Sequence, residues 1–290
     1  MTAPIVKIRN LKKSYRRKSV VDIEQLDIQP GRILGFIGPN GAGKTTTIRC
    51  LLGLARFQGE LEILGKNPYK DRQELLRDIS FIADTAVLPK WITSRQLLDY
   101  LEKVHPNFNR HKAEGFLAHT DIAPNAKVSS LSKGMTTQLH LALVISIDAK
   151  LLLLDEPTLG LDIIYRQKFY EQLLNDFFDE TRTVLITTHQ VEEIETILTD
   201  IVFINRGKIA LNLPIDDIGQ HYSEVVVAPQ DIELARSLKP INERKNLGDT
   251  IMLFENQNPR DLEQLGTLHT PSLSNLFVAK FASNYQSLGT

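Results

Sequence analysis

The run GPNGAGKTT at 38–46 places three glycines, a lysine and two threonines in the pattern G-x-x-x-x-G-K-[ST]. Gly38, Gly41 and Gly43 permit tight backbone turns that aim N–H groups at a phosphate. The apolar run ILGFI before the loop reads as a buried strand. The residues after it, with Ile48, Leu51 and Leu52, read as a helix whose positive N-terminal end adds to the attraction. Lys44 is expected to reach the β- and γ-phosphates, and Thr45 to offer a hydroxyl to Mg²⁺. The expected nucleotide contacts are Gly38, Asn40, Gly41, Ala42, Gly43, Lys44, Thr45 and Thr46.

Further along, LLLL at 151–154 is a buried strand that delivers Asp155 and Glu156 at its C-terminal edge, where ligands sit in open α/β sheets. The two acids suit two tasks. Asp155 is expected to bind Mg²⁺, and Glu156 to polarise a water that attacks the γ-phosphate. A third apolar strand at 183–188 ends in His189, from which an imidazole can contact the γ-phosphate and orient that water. Lys44, Glu156 and His189 form the expected catalytic set.

These residues need a scaffold that brings several strand ends together. Apolar, β-branched runs at 79–83, 151–154, 184–187 and 201–204 alternate with helical spacing such as that over 166–179. The alternation predicts an α/β fold with a mostly parallel sheet, which together with the glycine loop at 38–46 resembles a P-loop NTPase core. Residues 5–37 predict short strands forming an N-terminal antiparallel β part. Polar helices broken by Pro89, Pro106 and Pro124 predict a helical insertion over about 85–148. After residue 212 a shorter pattern, with VVV at 225–227 and IMLF at 251–254, predicts a small C-terminal accessory α/β region over 213–290.

Composition narrows the function classes. The 290 residues are 42% hydrophobic and 24% charged, with a formal net charge of −1, so no global field draws the chain to nucleic acid. No apolar run approaches the roughly 20 residues of a membrane span. No basic-then-apolar signal segment opens the sequence, and the single Cys50 excludes an internal disulfide framework, which points to the cytoplasm.

Between the phosphate loop and the acidic strand lies LSKGM at 131–135, opening an apolar helix. Ser132 and the N–H of Gly134 sit at that helix start, a place suited to an anion. In the order phosphate loop, LSKGM, then LLLLDEPTLGLD at 151–162, the chain resembles the ABC ATPase family over roughly residues 5–212. The resemblance implies an ABC ATPase domain over 1–212, with ATP and Mg²⁺ as cofactors. It implies that Tyr15 stacks on adenine and that Gly160, Leu161 and Asp162 form a dimer-contacting loop. Each ATP is expected to lie between the phosphate loop of one subunit and Ser132 and Gly134 of the other. The chain would then be half of a homodimer, or of a heterodimer with a second ATPase subunit. Its partner would be a membrane-spanning permease on a separate chain, which would hold it at the inner face of the cell membrane. A soluble ABC ATPase without a membrane partner, acting in cofactor assembly or regulation, is the alternative. A binding module without turnover is opposed by Glu156 and His189.

Three positions depart from the family pattern. Lys133 and Met135 stand where Gly and Gln are common, a variation that resembles the drug- and peptide-export branch. Asp84 stands where a glutamine usually touches Mg²⁺, and it joins Thr45 and Asp155 in the expected metal set. Three other features have simpler readings. The cations Lys7, Arg9, Lys12, Lys13, Arg16, Arg17 and Lys18 suit solvated strand and turn faces. Cys50 suits inert packing. Trp91 suits either the core or the docking of a partner helix.

Overall fold

In the computed structural model, residues 3–83, 88–159, 161–246 and 248–285 are described, with side chains to residue 281. The chain divides into two units, Met1–Leu198 with Ile204–Ile209, and Thr199–Phe203 with Ala210–Thr290.

The first unit opens with β1 (Val6–Tyr15) and β2 (Lys18–Ile28), an antiparallel pair of 10 and 11 residues rather than the short strands expected. Val6, Ile8 and Leu11 are buried on one face, while the cations of β1 point outward to acids. Arg9 forms a two-point pair with Asp27 at 2.7 Å per bond, Lys7 lies 3.6 Å from Glu62 and Lys12 lies 3.7 Å from Asp22. The Arg9 hydrogen bonds hold the Asp27 carboxyl below its ordinary range, against the opposing effect of its partial burial. These cations therefore line a paired surface ladder.

β3 (Ile33–Ile37) leads through the glycine loop into α1 (Lys44–Leu51), and β4 (Gln58–Ile63) returns to pair with β1. After the short α2 (Arg72–Leu75) comes β5 (Ile79–Ile82). Helices then take over, with α3 (Ser94–Val104), α4 (Arg110–Leu117) and α5 (Lys133–Ile145). Their starts are written in the sequence. Thr93 and Gln96 form a capping box on α3, Asn109 caps α4 and Ser132 caps α5. β6 (Leu151–Asp155), α6 (Ile163–Gln172), which continues as a π-helical turn, and β7 (Thr183–Thr188) follow in this unit.

Strands β5, β6, β7 and β3 lie side by side in that order, all parallel. Every residue of β3, β6 and β7 is buried, as expected for parallel strands covered on both faces. Cys50 on α1 is fully buried and its thiol is pushed up to about 11 by that burial, which keeps it unreactive. Trp91 is 73% exposed, so it is not a core residue.

Strands β8 (Asp200–Asn205) and β9 (Lys208–Pro214) are divided between the two units. The second unit continues with α7 (Ile218–His221), β10 (Tyr222–Val227), α8 (Ile232–Ser237), β11 (Asn242–Asn246), β12 (Asp249–Glu255), α9 (Pro259–Glu263) and β13 (Gly266–His269). From β10 onward this is a β-α-β-β-α-β succession, and its antiparallel sheet has the order β11-β12-β10-β13. That is the split βαβ, or ferredoxin-like, arrangement. Val225, Val227, Met252 and Phe254 pack with Ala235 of α8 and Leu262 of α9 on one face. The alternate residues face α10 (Leu273–Tyr285), where Asn275 donates to Glu224 at 2.9 Å and Lys280 donates to both oxygens of Glu255 at 2.8 and 2.9 Å. Among the described residues, no helix is long and apolar enough to cross a membrane.

Candidate functional site

The parallel register aligns the C-terminal ends of β3, β6 and β7. Ile37 pairs with Thr188 and Asp155 with Thr187, so the glycine loop, the acid pair and His189 leave the sheet at one edge. The Gly38 N–H donates to the Thr188 carbonyl at 3.3 Å, which fixes the start of the loop against β7.

At the other end of the loop, Gly43 has φ of 111° and is the N-cap of α1 without any side-chain cap. A Cβ there would lie 2.6 Å from the Val20 carbonyl oxygen, so only glycine fits both the angle and the space. With no side chain capping it, the start of α1 presents backbone N–H groups and the positive helix end to an anion. Lys44 is buried and donates to the Gly38 carbonyl at 2.7 Å, folding the loop back over its own ammonium group. The same nitrogen lies 3.2 Å from Glu156 Oε1.

The acid pair divides as its two positions suggest. Asp155 Oδ1 accepts the Thr187 hydroxyl at 2.6 Å and the Thr45 hydroxyl at 3.2 Å, so two strands and a helix start meet on one oxygen. Both carboxylate oxygens of Glu156 lie 3.0 Å from His189 Nδ1. Glu156 holds φ of 48°, a left-handed conformation that costs a residue with a Cβ of order 1–3 kcal/mol. Its N–H is held by the Thr187 carbonyl at 3.0 Å and the Thr187 hydroxyl at 3.2 Å. Lys44, Thr45, Asp155, Glu156 and His189 are thus brought together.

Thr45 and Asp155 present hard oxygen donors within 3.2 Å of each other, which fits Mg²⁺, a cation that takes few protein ligands and completes its shell with water and phosphate. Among the described residues, no group of three or more His, Cys, Asp or Glu could hold a metal unaided. Asp84, the third expected donor, lies outside the described residues, as does Gly160 of the expected dimer loop.

Other expected contacts sit elsewhere. Ser132 caps α5 by accepting the Met135 N–H at 3.2 Å. Gly134 is packed under Tyr165, whose ring carbons would lie 3.4 Å from any Cβ. Tyr15, at the end of β1, is 44% exposed, and Lys13 Nζ lies 4.6 Å from its ring centroid. A cleft of about 690 Å³ joins Glu156 and Pro157 to Lys133, Thr136, Thr137 and His140 of α5. Burial pushes His140 down to about 4, so its imidazole is neutral at physiological pH.

The structure adds residues that motif reading missed. Thr187 braces both acids, and the signal for it was a threonine two places before the strand-end histidine. Arg166, Glu193 and Thr158 form a network beside the site, with Thr158 donating to Glu193 at 2.9 Å. Nothing in the sequence alone pairs residues 158, 166 and 193.

Comparison with known proteins gives concordant results. The family described as ABC transporter matches residues 21–159. The chain is 33% identical over 217 residues to the bacitracin transport ATP-binding protein BcrA of Bacillus licheniformis, covering 74% of this chain and 71% of that protein. It is 32% identical over 289 residues to the Nod factor export ATP-binding protein I of Cupriavidus metallidurans, covering 93% and 91%. Among solved structures, the ATP-binding subunit of an ABC transporter superposes with a TM-score of 0.68 at 22% identity, over 74% of this chain and 92% of that one. This last likeness is one of fold.

Proposed function

The chain belongs to the ABC transporter ATP-binding family, and from that premise we propose that it works as half of a dimer closed around two ATP molecules and drives a separate membrane-spanning permease, of the export type. It is an ATP-binding subunit of a transporter, and members of this family are ATPases coupled to transport. The export assignment draws support from the name of the Cupriavidus relative, a Nod factor export ATP-binding protein, and from Lys133 and Met135. Permease binding would hold the chain at the inner face of the cell membrane. We assign residues 1–212 to the ATPase domain, with a helical insertion over about 85–148, and 213–290 to an accessory domain.

One observation carries the reading of the site: Lys44, Asp155, Glu156 and His189 converge at one sheet edge through contacts of 2.6–3.2 Å. In the proposed mechanism the loop N–H groups and Lys44 receive the β- and γ-phosphates and offset their charge. Thr45 and Asp155 would hold Mg²⁺, which when bound would further offset phosphate charge. Glu156 accepts a proton from the attacking water, and His189 fixes the carboxylate through Nδ1 while its ring edge faces the γ-phosphate. Tyr15 stacks on adenine. Ser132 and Gly134, at the start of α5, serve the ATP held by the opposite subunit, and the loop containing Leu161 and Asp162 contacts that subunit. Asp84 is kept in this proposal as a further Mg²⁺ ligand.

The test is to purify the tagged chain in detergent from the membranes of its own cells, identify any multi-span protein that co-purifies, and measure phosphate release. Co-purification with Mg²⁺-dependent ATP hydrolysis is expected. ATP hydrolysis by a chain that never associates with a membrane protein would favour the soluble alternative. Nucleotide binding without phosphate release would overturn the catalytic reading.

A further inference from the structure

Arg166 lies in the first turn of α6 and spends its guanidinium on three partners. Its Nε donates to the Leu161 carbonyl at 2.7 Å, and its Nη1 donates to the Gln190 side-chain oxygen at 2.9 Å and to Glu193 Oε1. Glu193 in turn accepts the hydroxyl of Thr158, a residue only 3% exposed, and that hydroxyl lies 3.2 Å from the Tyr170 phenol. Two segments therefore meet on one side chain. One is the loop that leaves Glu156, through Thr158 and Leu161. The other is the turn that leaves His189, through Gln190 and Glu193.

The arrangement matters because, among the described residues, the His189 ring hydrogen-bonds to Glu156 while its side chain stays 30% exposed. Its direction must then come from the backbone on either side. Before it, β7 is fixed in the sheet. After it, the Gln190 N–H turns back to the Thr188 hydroxyl at 3.0 Å, and beyond that the hold passes to Arg166. Glu156, with φ of 48°, needs the same kind of bracing on its downstream side.

We propose that Arg166 is a positioning residue for ATP hydrolysis, holding His189 in register with Glu156 by fixing the segments that follow each of them. This rests on the reading of Glu156 and His189 given above. The residue type fits the task. A guanidinium is a planar fork that meets several acceptors at fixed angles, whereas a lysine ammonium can keep the charge opposite Glu193 but not the simultaneous hold on Leu161 and Gln190.

The experiment is a double-mutant cycle on turnover in the full chain with Mg-ATP. Arg166→Lys and, independently, Gln190→Leu are each placed in the wild-type and His189→Ala backgrounds. Both substitutions are expected to lower kcat about 10- to 100-fold in the wild type while nucleotide affinity stays within about 2-fold. In the His189→Ala background, where there is no imidazole left to position, the further loss should shrink to about 3-fold or less. A purely structural role would give equal losses in both backgrounds, and that result overturns the proposal. Unchanged turnover in Arg166→Lys and Gln190→Leu, with His189→Ala impaired, overturns it alone. Wild-type turnover in His189→Ala overturns the reading of His189 and the proposal together. Thermal melting of each variant identifies any loss of folding, and Gln190→Leu, which leaves the Arg166–Glu193 pair intact, carries the test if Arg166→Lys fails to fold.

Discussion

His189 Nδ1 lies 3.0 Å from each carboxylate oxygen of Glu156, so the imidazole sits astride the carboxylate and holds it from one side. Lys44 approaches one of the same oxygens, Oε1, at 3.2 Å. Glu156→Gln keeps the shape of this arrangement but removes the base. The variant is expected to bind ATP and to hydrolyse it at least about 100-fold more slowly. Sedimentation with Mg-ATP should show a dimer; a monomer at all nucleotide concentrations would count against the composite site.

Lys44→Ala should act on binding. The substitution removes a buried ammonium that folds the loop through Gly38, and with it a charge-assisted contact to phosphate. A loss of about 1.5–3 kcal/mol in nucleotide binding is expected. Titration with a fluorescent ATP analogue measures it, and unchanged affinity would contradict the assignment of the loop.

Thr187→Val removes the 2.6 Å hydrogen bond to Asp155 Oδ1 and one of the two acceptors of the Glu156 N–H, with almost no change in volume. Second-sphere bonds of this kind typically change metal affinity about 10- to 100-fold. The Mg²⁺ concentration for half-maximal turnover should rise accordingly in steady-state assays across a Mg²⁺ series. A curve that overlays the wild type would remove Thr187 from the site.

His140 gives the protein an acid sensitivity that can be tested separately from catalysis. Burial lowers its folded value to about 4 from an ordinary 6.5, so the unfolded chain takes up a proton between those values while the folded chain does not. Its contribution is therefore fully present above about pH 6.5 and is lost as pH falls toward about 4. His140→Leu should reduce the destabilisation between about pH 7.5 and pH 5 by on the order of 2 kcal/mol. Denaturant melts at the two pH values measure the difference; equal pH dependence in both proteins would show that His140 is hydrated in the folded state.

In the second unit, Lys280 donates to both oxygens of Glu255, and the Tyr222 hydroxyl donates to Oε1 at 2.7 Å. Partial burial pushes Glu255 upward, but these bonds outweigh it and leave the carboxyl below its ordinary value. Lys280→Met strands a half-buried carboxylate and should destabilise this unit by about 1–2 kcal/mol, between the limits for exposed and buried pairs. Adding Glu255→Gln should recover much of the loss in thermal melts. Additive losses in the double variant would mean that the pair is not coupled.

The chemistry-bearing residues were legible in the sequence because they depend on local rules. Glycines at 38, 41 and 43 permit one kind of turn, Ser132 before an apolar helix is a cap, and LLLL before two acids is a buried strand with a reactive end. The α/β alternation was equally visible, since period and length separate buried strands from helices. What the sequence could not supply were partners distant along the chain. The alignment of Ile37, Asp155 and Thr188 follows from strand register, which is a property of the assembled sheet. Arg166 reads as one more polar residue on a helix until folding sets it against Leu161, Gln190 and Glu193. The β-α-β-β-α-β topology of the second unit was hidden for a related reason. Its edge strand β11 is the polar run NERKN, which has no hydrophobic alternation because none of its residues is buried in the core of the unit. Local propensity thus determined which residues could do chemistry, and long-range packing decided which of them meet, since closure of the sheet alone sets the distances between strand ends.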